Sequence, residues 1–264
     1  MKKILVFSFV FVLLTSIFST AQPYQIISPD KNILVEVDFN KLNGLCYKMT
    51  YLHQPILLES KFGIKVNGEN WEQNMEMKSV HVSSTDTSWK PLYGERSKVI
   101  DLFNETVFFL NKLDNKNKQL KIIVRVYNQG MAFRYQVPEL ENGGPLIKIT
   151  NESTEFSFPE ETKAWFTPMA QAEYQLLNVN DMPGESDRPL TLVLKNGLYA
   201  SLGEAEMVNY SRTKFKSVGN GSNKLTGVMY DAVEEIAPFA SPWRLIMVAK
   251  TPGVLLENND MILN

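Results

Sequence analysis

Cysteine is almost absent from this 264-residue chain: Cys46 is the only one, so no internal disulfide can form and stability has to come from a large core. Histidine is nearly as scarce. His53 and His81, both in strand-like surroundings, are the only two, which leaves little for an acid–base pair of the usual His-with-Glu kind. There is no basic run either, and 27 Lys and Arg against 29 Asp and Glu give a formal net charge of −2, which disfavours a nucleic-acid partner. Past the first few turns of sequence, no stretch approaches the ~18 uninterrupted apolar residues of a membrane span. No segment repeats with a period of about 20–50 residues. No linker rich in Gly, Ser or Pro divides the chain, and nowhere do strands alternate with helices over the roughly 250 residues that a (β/α)8 barrel needs.

What is present begins with an export signal. Lys2 and Lys3 form a positive start, residues 4–14 are an apolar core, and Ser19-Thr20-Ala21 offers small residues before a cut ahead of Gln22. No Cys follows the apolar core to take a lipid anchor, so residues 22–264 are expected to be one soluble, periplasmic or secreted domain without a membrane partner. Cys46, inside the apolar run LCYKMTYL, is expected to be a small buried side chain.

The rest is a succession of short alternating segments. Ile33, Val35, Val37 and Phe39 fall on one face and Leu34, Glu36 and Asp38 on the other, the period of a strand with one buried side. Asn43-Gly44 reverses the chain into the next strand. Further strands are predicted at residues 80–84 and 89–93, a hairpin at 105–113 with 120–127, and a strand at 131–137 whose Phe133 and Tyr135 share a face while Arg134 takes the other. Arg134 is then either a structural partner for a carboxylate or a ligand contact. Residues 139–144 and the aromatic, amide-rich stretch 165–184 are predicted as loops. Turn signals every 8–12 residues or so indicate an all-β fold, a two-sheet β-sandwich.

One stretch carries more than architecture. Leu190, Leu192 and Leu194 alternate with Thr191 and Val193, Lys195-Asn196-Gly197 turns the chain, and Leu198, Ala200 and Leu202 resume the alternation. That second strand runs into Gly203-Glu204-Ala205-Glu206. Two carboxylates at the end of a rigid strand, beside a Gly that admits close approach, suit a hard cation or a sugar hydroxyl, although a Glu there can equally be merely solvated.

The runs LYASLGEAEMVNY, VYNQGMAFRYQVP and SPWRLIMVAKTPGVLLENNDMILN resemble the amino-terminal domain of glycoside hydrolase family 97, over nearly all of residues 22–264. The resemblance implies a large super-sandwich of the mutarotase-like kind, placed before a (β/α)8 barrel that holds the catalytic carboxyl groups and is missing here. The family includes inverting α-glucosidases and retaining α-galactosidases, so the implied substrate is an α-linked oligosaccharide or a galactoside. It also implies that Glu204, at the family's "EA" position, ligates a Ca2+ shared with the barrel, with Glu206 a lesser candidate. Calcium takes about six to eight oxygen ligands, so this domain cannot hold it alone. Trp165 and Tyr174 are candidates to stack on a sugar ring, against the alternative that Trp165 and Phe166 cap the core. Trp243 and Arg244 are candidates for the face that meets substrate and barrel, or else a core Trp and a salt-bridged Arg. On this reading the chain alone hydrolyses nothing and supports an active site completed elsewhere. The alternatives are a free-standing carbohydrate-binding module and, less in keeping with the two histidines, a sugar mutarotase.

Overall fold

Alternation of apolar and polar residues becomes a layered molecule in the computed structural model, which describes residues 22–40, 44–139 and 146–264. The expected signal peptide, Asn43 of the expected turn and most of the expected loop at 139–144 lie outside the described residues. In the strand Ile33–Asn40, Ile33, Val35 and Val37 are fully buried, whereas Leu34 and Glu36 between them are half-buried. The same rule builds two large antiparallel sheets. One has eight strands, from Tyr24–Ile27 at one edge to Glu185–Ser186 at the other. The second has ten, nine of them running from Gln175–Asn178 through Lys163–Phe166, Leu190–Val193, Tyr199–Ala205, Trp243–Ala249, Gly130–Val137 and Gln119–Tyr127 to the ribbon of Val99–Lys112 and Met75–Trp89, with Phe239–Ala240 pairing Gly130–Val137 off this path. A third, four-stranded sheet contains Leu146–Asn151 and Val233–Ile236.

The inner faces of the two large sheets meet in one apolar cluster. At its centre Tyr47 of the first sheet packs on Phe133 of the second at 5.5 Å between ring centroids, and Phe62 lies 4.5 Å and 5.0 Å from those two rings. Each such ring adds about 1.5–3 kcal/mol by leaving water. The all-β sandwich expected from the sequence is therefore the fold, and Cys46 is buried in it.

The strand Trp243–Ala249 is buried along its whole length. Its two faces explain why. Ile246 and Val248 enter the main core, while Trp243, Leu245, Met247 and Ala249 belong to a second cluster on the outer side of the sheet. That outer cluster is roofed by the C-terminal tail, which forms two short helices, Pro252–Glu257 and Asp260–Leu263. The Thr251 hydroxyl caps the first by accepting from Val254 N at 3.2 Å, and Pro252 starts it where a missing N–H costs nothing. Leu255 and Met261 are the roof's buried contacts. The tail is thus docked on this domain.

Two local expectations are corrected. Residues 75–89 form one long strand, with a register irregularity between Met77 and Ser79, instead of two short strands around 80–84 and 89–93. The stretch has neither Gly nor Pro to break it, and as an edge strand it shows polar side chains where a central strand would show apolar ones. The stretch 165–184 is no plain loop, because Trp165 and Phe166 end a strand that pairs with Gln175–Asn178. In the 195–197 turn only Gly197 takes the left-handed conformation, φ 83°, after Gly197 N donates to Leu194 O. This is a type I turn closed by a glycine bulge, and Asn196 serves by accepting from Leu198 N instead.

Candidate functional site

The hairpin Leu190–Val193 with Tyr199–Ala205 pairs as its sequence indicates, Leu190 opposite Leu202 and Val193 opposite Tyr199. Ala200 and Leu202 are fully buried on the inner face. A strand alternates with period two, so Glu204 shares their side of the sheet. Glu204 is therefore turned into the sandwich and does not project outward, its side chain 2 % exposed. Its cross-strand neighbour is Arg244, which points the same way, and the two form an ion pair through Arg244 Nη1 and Glu204 Oε1.

A chain of alternating charge is built around this pair. Glu152, from the end of the strand Leu146–Asn151, clamps Arg244 from the other side, Nε to Oε2 at 2.9 Å and Nη2 to Oε1 at 2.7 Å. Glu204 Oε1 also accepts from Thr213, N at 3.0 Å and Oγ1 at 2.6 Å. Burial by itself would lower the Arg244 pKa, but the Glu152 and Glu204 carboxylates outweigh it and hold the guanidinium above its ordinary value. Tyr210 lies beside this group with its hydroxyl buried and without a partner among the described residues, and burial next to Glu152 pushes the phenol well above the ordinary range.

Glu204 Oε2 is in a different condition. The Arg188 Nε atom is in close contact with it, yet the contact is not aligned as a hydrogen bond and Oε2 has no hydrogen-bond partner among the described residues. Arg188 also has Nη1 3.7 Å from Asp187 Oδ1 and Nη2 3.8 Å from the Met207 sulfur.

Glu206 does not share this site. The strand ends at Ala205, and Glu206 has φ 54°, which breaks the alternation and leaves its side chain 60 % exposed on the outer side. There it accepts from Arg134 Nη1 at 2.8 Å and from the Trp243 indole at 3.1 Å. The Trp243 ring carries two guanidiniums, Arg125 at 4.4 Å and Arg134 at 4.3 Å from its centre. Arg134 is thus a structural partner for Glu206 and Trp243, as one of the two sequence readings has it.

The expected sugar-contact residues do not form one surface. Trp243 and Arg244 are both buried and face opposite sides of the sheet, so neither is presented to substrate by this chain. They are a core Trp and a salt-bridged Arg. Trp165, 40 % exposed, and Tyr174, 53 % exposed, lie on the hairpin at the sheet's edge, while Phe166 between them in sequence caps the core. Sequence reasoning missed Glu152, Asp187, Arg188 and Thr213. Arg188 and Asp187 begin the hairpin that drew attention to Glu204, but Glu152 lies 92 residues from Arg244 and has no local signal.

For a divalent cation the residues fit in part. Among the described residues no three His, Cys, Asp or Glu side chains converge as a metal site. Oε2 of Glu204 is nevertheless a buried carboxylate oxygen with a spare lone pair, the hard donor that calcium prefers. Two guanidiniums beside it oppose a cation, and Arg244 is fixed by Glu152.

The family model described as glycosyl-hydrolase 97 N-terminal matches residues 26–264. Among solved structures, a glycoside hydrolase family 97 enzyme in complex with acarbose, from Pseudoalteromonas sp. strain K8, superposes with a TM-score of 0.82 at 24 % identity, over 91 % of this chain and 38 % of that one. A β-arabinopyranosidase gives 0.77 at 22 % identity, over 86 % of this chain and 40 % of its own. A GH36 α-galactosidase from Geobacillus stearothermophilus gives 0.55 at 10 % identity, again over 86 % and 40 %. At these identities the likeness is one of fold, and this chain spans about two fifths of the length of each structure.

Proposed function

The chain belongs to glycoside hydrolase family 97 as its amino-terminal domain, and from that premise we propose that it is the supporting sandwich of an exported α-glycosidase. Its substrate would be an α-linked oligosaccharide or galactoside, hydrolysed by a (β/α)8 barrel in cis or in trans. The observation that carries this reading is the match over residues 26–264 combined with coverage of 38 % of a family enzyme's length. The chemistry agrees. Glycoside hydrolysis places two carboxyl groups across the scissile bond, about 5–5.5 Å apart for a retaining enzyme and about 6.5–9.5 Å for an inverting one. Glu204 and Glu152 are both spent on Arg244 inside the sandwich, and neither stands across an open cleft from a second acid.

Within this reading Glu204 contributes one ligand, Oε2, to a calcium ion whose other ligands come from the barrel. The spare lone pair of that oxygen supports it, and the guanidinium of Arg188 sets its condition. Trp165 and Tyr174 are the aromatic faces left for sugar. Their exposure on a sheet edge is also what favours the second reading, a carbohydrate-binding module that acts without a barrel.

The purified chain should release nothing from aryl α-glucosides or α-galactosides, and should gain turnover when a family barrel is joined to residue 264 or added in trans. Turnover by the chain alone would overturn the supporting role. Affinity electrophoresis in α-glucan gels separates the second reading: retardation that disappears in the Trp165→Ala and Tyr174→Ala variants would establish a binding module.

A further inference from the structure

Two basic side chains sit where the backbone favours glycine or asparagine. The strands Gly44–Tyr51 and Gln54–Lys61 are joined by a two-residue turn, Leu52-His53, with φ 50° and 63°. A hairpin turn with both φ positive is the natural place for Asn-Gly, and a bulky leucine is an outlier in it. Just ahead of Ile33–Asn40, the turn closed by Lys31 N donating to Ser28 O at 2.9 Å ends on Lys31 with φ 64°. Leu52 N donates to Asn32 O at 2.8 Å and so bonds the two turns to each other. Beside them lies a cavity of about 350 Å³, lined by both Lys31 and His53. Its floor is aliphatic, Ile27 opposite Leu34, and Thr50 is the next cross-strand partner. Asn104 reaches in from the ten-stranded sheet and is steadied by Nδ2 donating to Ile27 O at 2.7 Å. Among the described residues no Asp or Glu lines this cavity.

We infer that this cavity is a binding site for a hexuronate, a pyranose ring that bears a carboxylate. Left-handed backbone at a residue with a side chain is costly, and folding alone gives no reason to keep it at two turns that glycine would serve better. Both turns present a basic side chain to the same cavity. The Lys31 ammonium and an imidazole N–H of His53 are donors suited to one carboxylate, and no acid of the lining competes for them. Ile27 and Leu34 suit the apolar C–H face of the ring. Its hydroxyls both donate and accept, as the Thr50 hydroxyl and the Asn104 amide do. Small-molecule sites have this make-up, mostly apolar with a few placed polar groups in about 300–1,000 Å³. The site involves neither Glu204 nor a barrel, and it adds an acidic saccharide to the neutral sugars of the supporting role.

The test titrates the chain with glucuronate and galacturonate, followed by calorimetry and by the NMR shifts of its two imidazoles. The His53 resonances should move saturably with at least one of the two acids, while those of His81, on the strand Met75–Trp89, stay in place. Glucose and galactose should bind at least tenfold more weakly. Lys31→Gly and His53→Gly should each weaken hexuronate binding at least tenfold and at the same time raise Tm by about 2–4 °C, because glycine takes the left-handed backbone without strain. No saturable movement of His53 with either acid would overturn the site. Neutral sugars bound as tightly as the acids would overturn its charge assignment. A raised Tm with hexuronate binding unchanged in both glycine variants would show the two turns to be strained for some other reason, and the proposal would fall.

Discussion

Arg244 is buried between two carboxylates, a combination whose value shows only when one partner is removed. An ion pair taken out of water recovers its desolvation cost through good geometry, and deleting one member strands the other. Arg244→Met leaves both Glu152 and Glu204 Oε1 without their cation in the core. It should destabilise the chain by about 3–5 kcal/mol, measured as a lower urea midpoint with an unchanged slope. A loss below about 1 kcal/mol would mean that the cluster relaxes or hydrates freely. The sequence offered Arg244 as an interface residue or as a salt-bridged core Arg, and only the position of Glu152, 92 residues away, decides for the second. The acidic position at the strand end was legible because alternation and the Gly beside it are local. The direction of that side chain was also legible, since Glu204 lies two residues beyond Leu202 and must follow it inward. That phase argument outweighs the polarity of the residue.

At the scale of elements, the hairpin at 190–205 and the ribbon turning at residues 113–118 follow from strict alternation and from turn residues, and both form where the sequence puts them. What failed was length at the sheet's edge. Edge strands carry Ser, Thr and Asp on an exposed face and look broken when read for hydrophobicity, as Met75–Trp89 does. The tail's helices owe their form to the outer cluster they cover, which no short window of sequence contains. Between the strands Gln119–Tyr127 and Trp243–Ala249, the strand Gly130–Val137 begins at a glycine that is required by its neighbour. A Cβ at Gly130 would stand 2.1 Å from Ile246 O and 2.9 Å from Met247 Cα, both backbone and unable to yield. Gly130→Ala should therefore cost at least the ~1–3 kcal/mol of ordinary overpacking, read from thermal melts with Gly184→Ala, which meets nothing nearby and needs no left-handed backbone, as the comparison.

For the molecule as a whole, all-β architecture and the two-sheet core were legible from composition and period, while its task was legible only through resemblance, since a sandwich serves many functions. Its response to pH is a property of the whole core. Tyr47, Tyr135 and Tyr210 all have phenols raised by burial first, with Glu155 acting further on Tyr47 and Glu152 on the other two. A phenol raised in the folded state keeps its proton where the unfolded chain has lost it, so folding is favoured at low pH and opposed at high pH. The contribution is complete below the unfolded value, about pH 10, and declines above it by about 1.4 kcal/mol per pH unit for each tyrosine. Stability should fall steeply above pH 10, and Tyr210→Phe should make that fall shallower by one proton's worth. An unchanged alkaline slope in the Phe variant would remove Tyr210 from this account.

Trp243 and Arg244 are adjacent in sequence yet belong to opposite layers, the indole under two guanidiniums outside and the guanidinium between two carboxylates inside. A single codon inserted or deleted just ahead of them would trade their places, driving an arginine out and an indole into the ionic cluster, and no repacking of either layer alone could absorb the exchange. The Pro242-Trp243 junction therefore has to keep its count of residues.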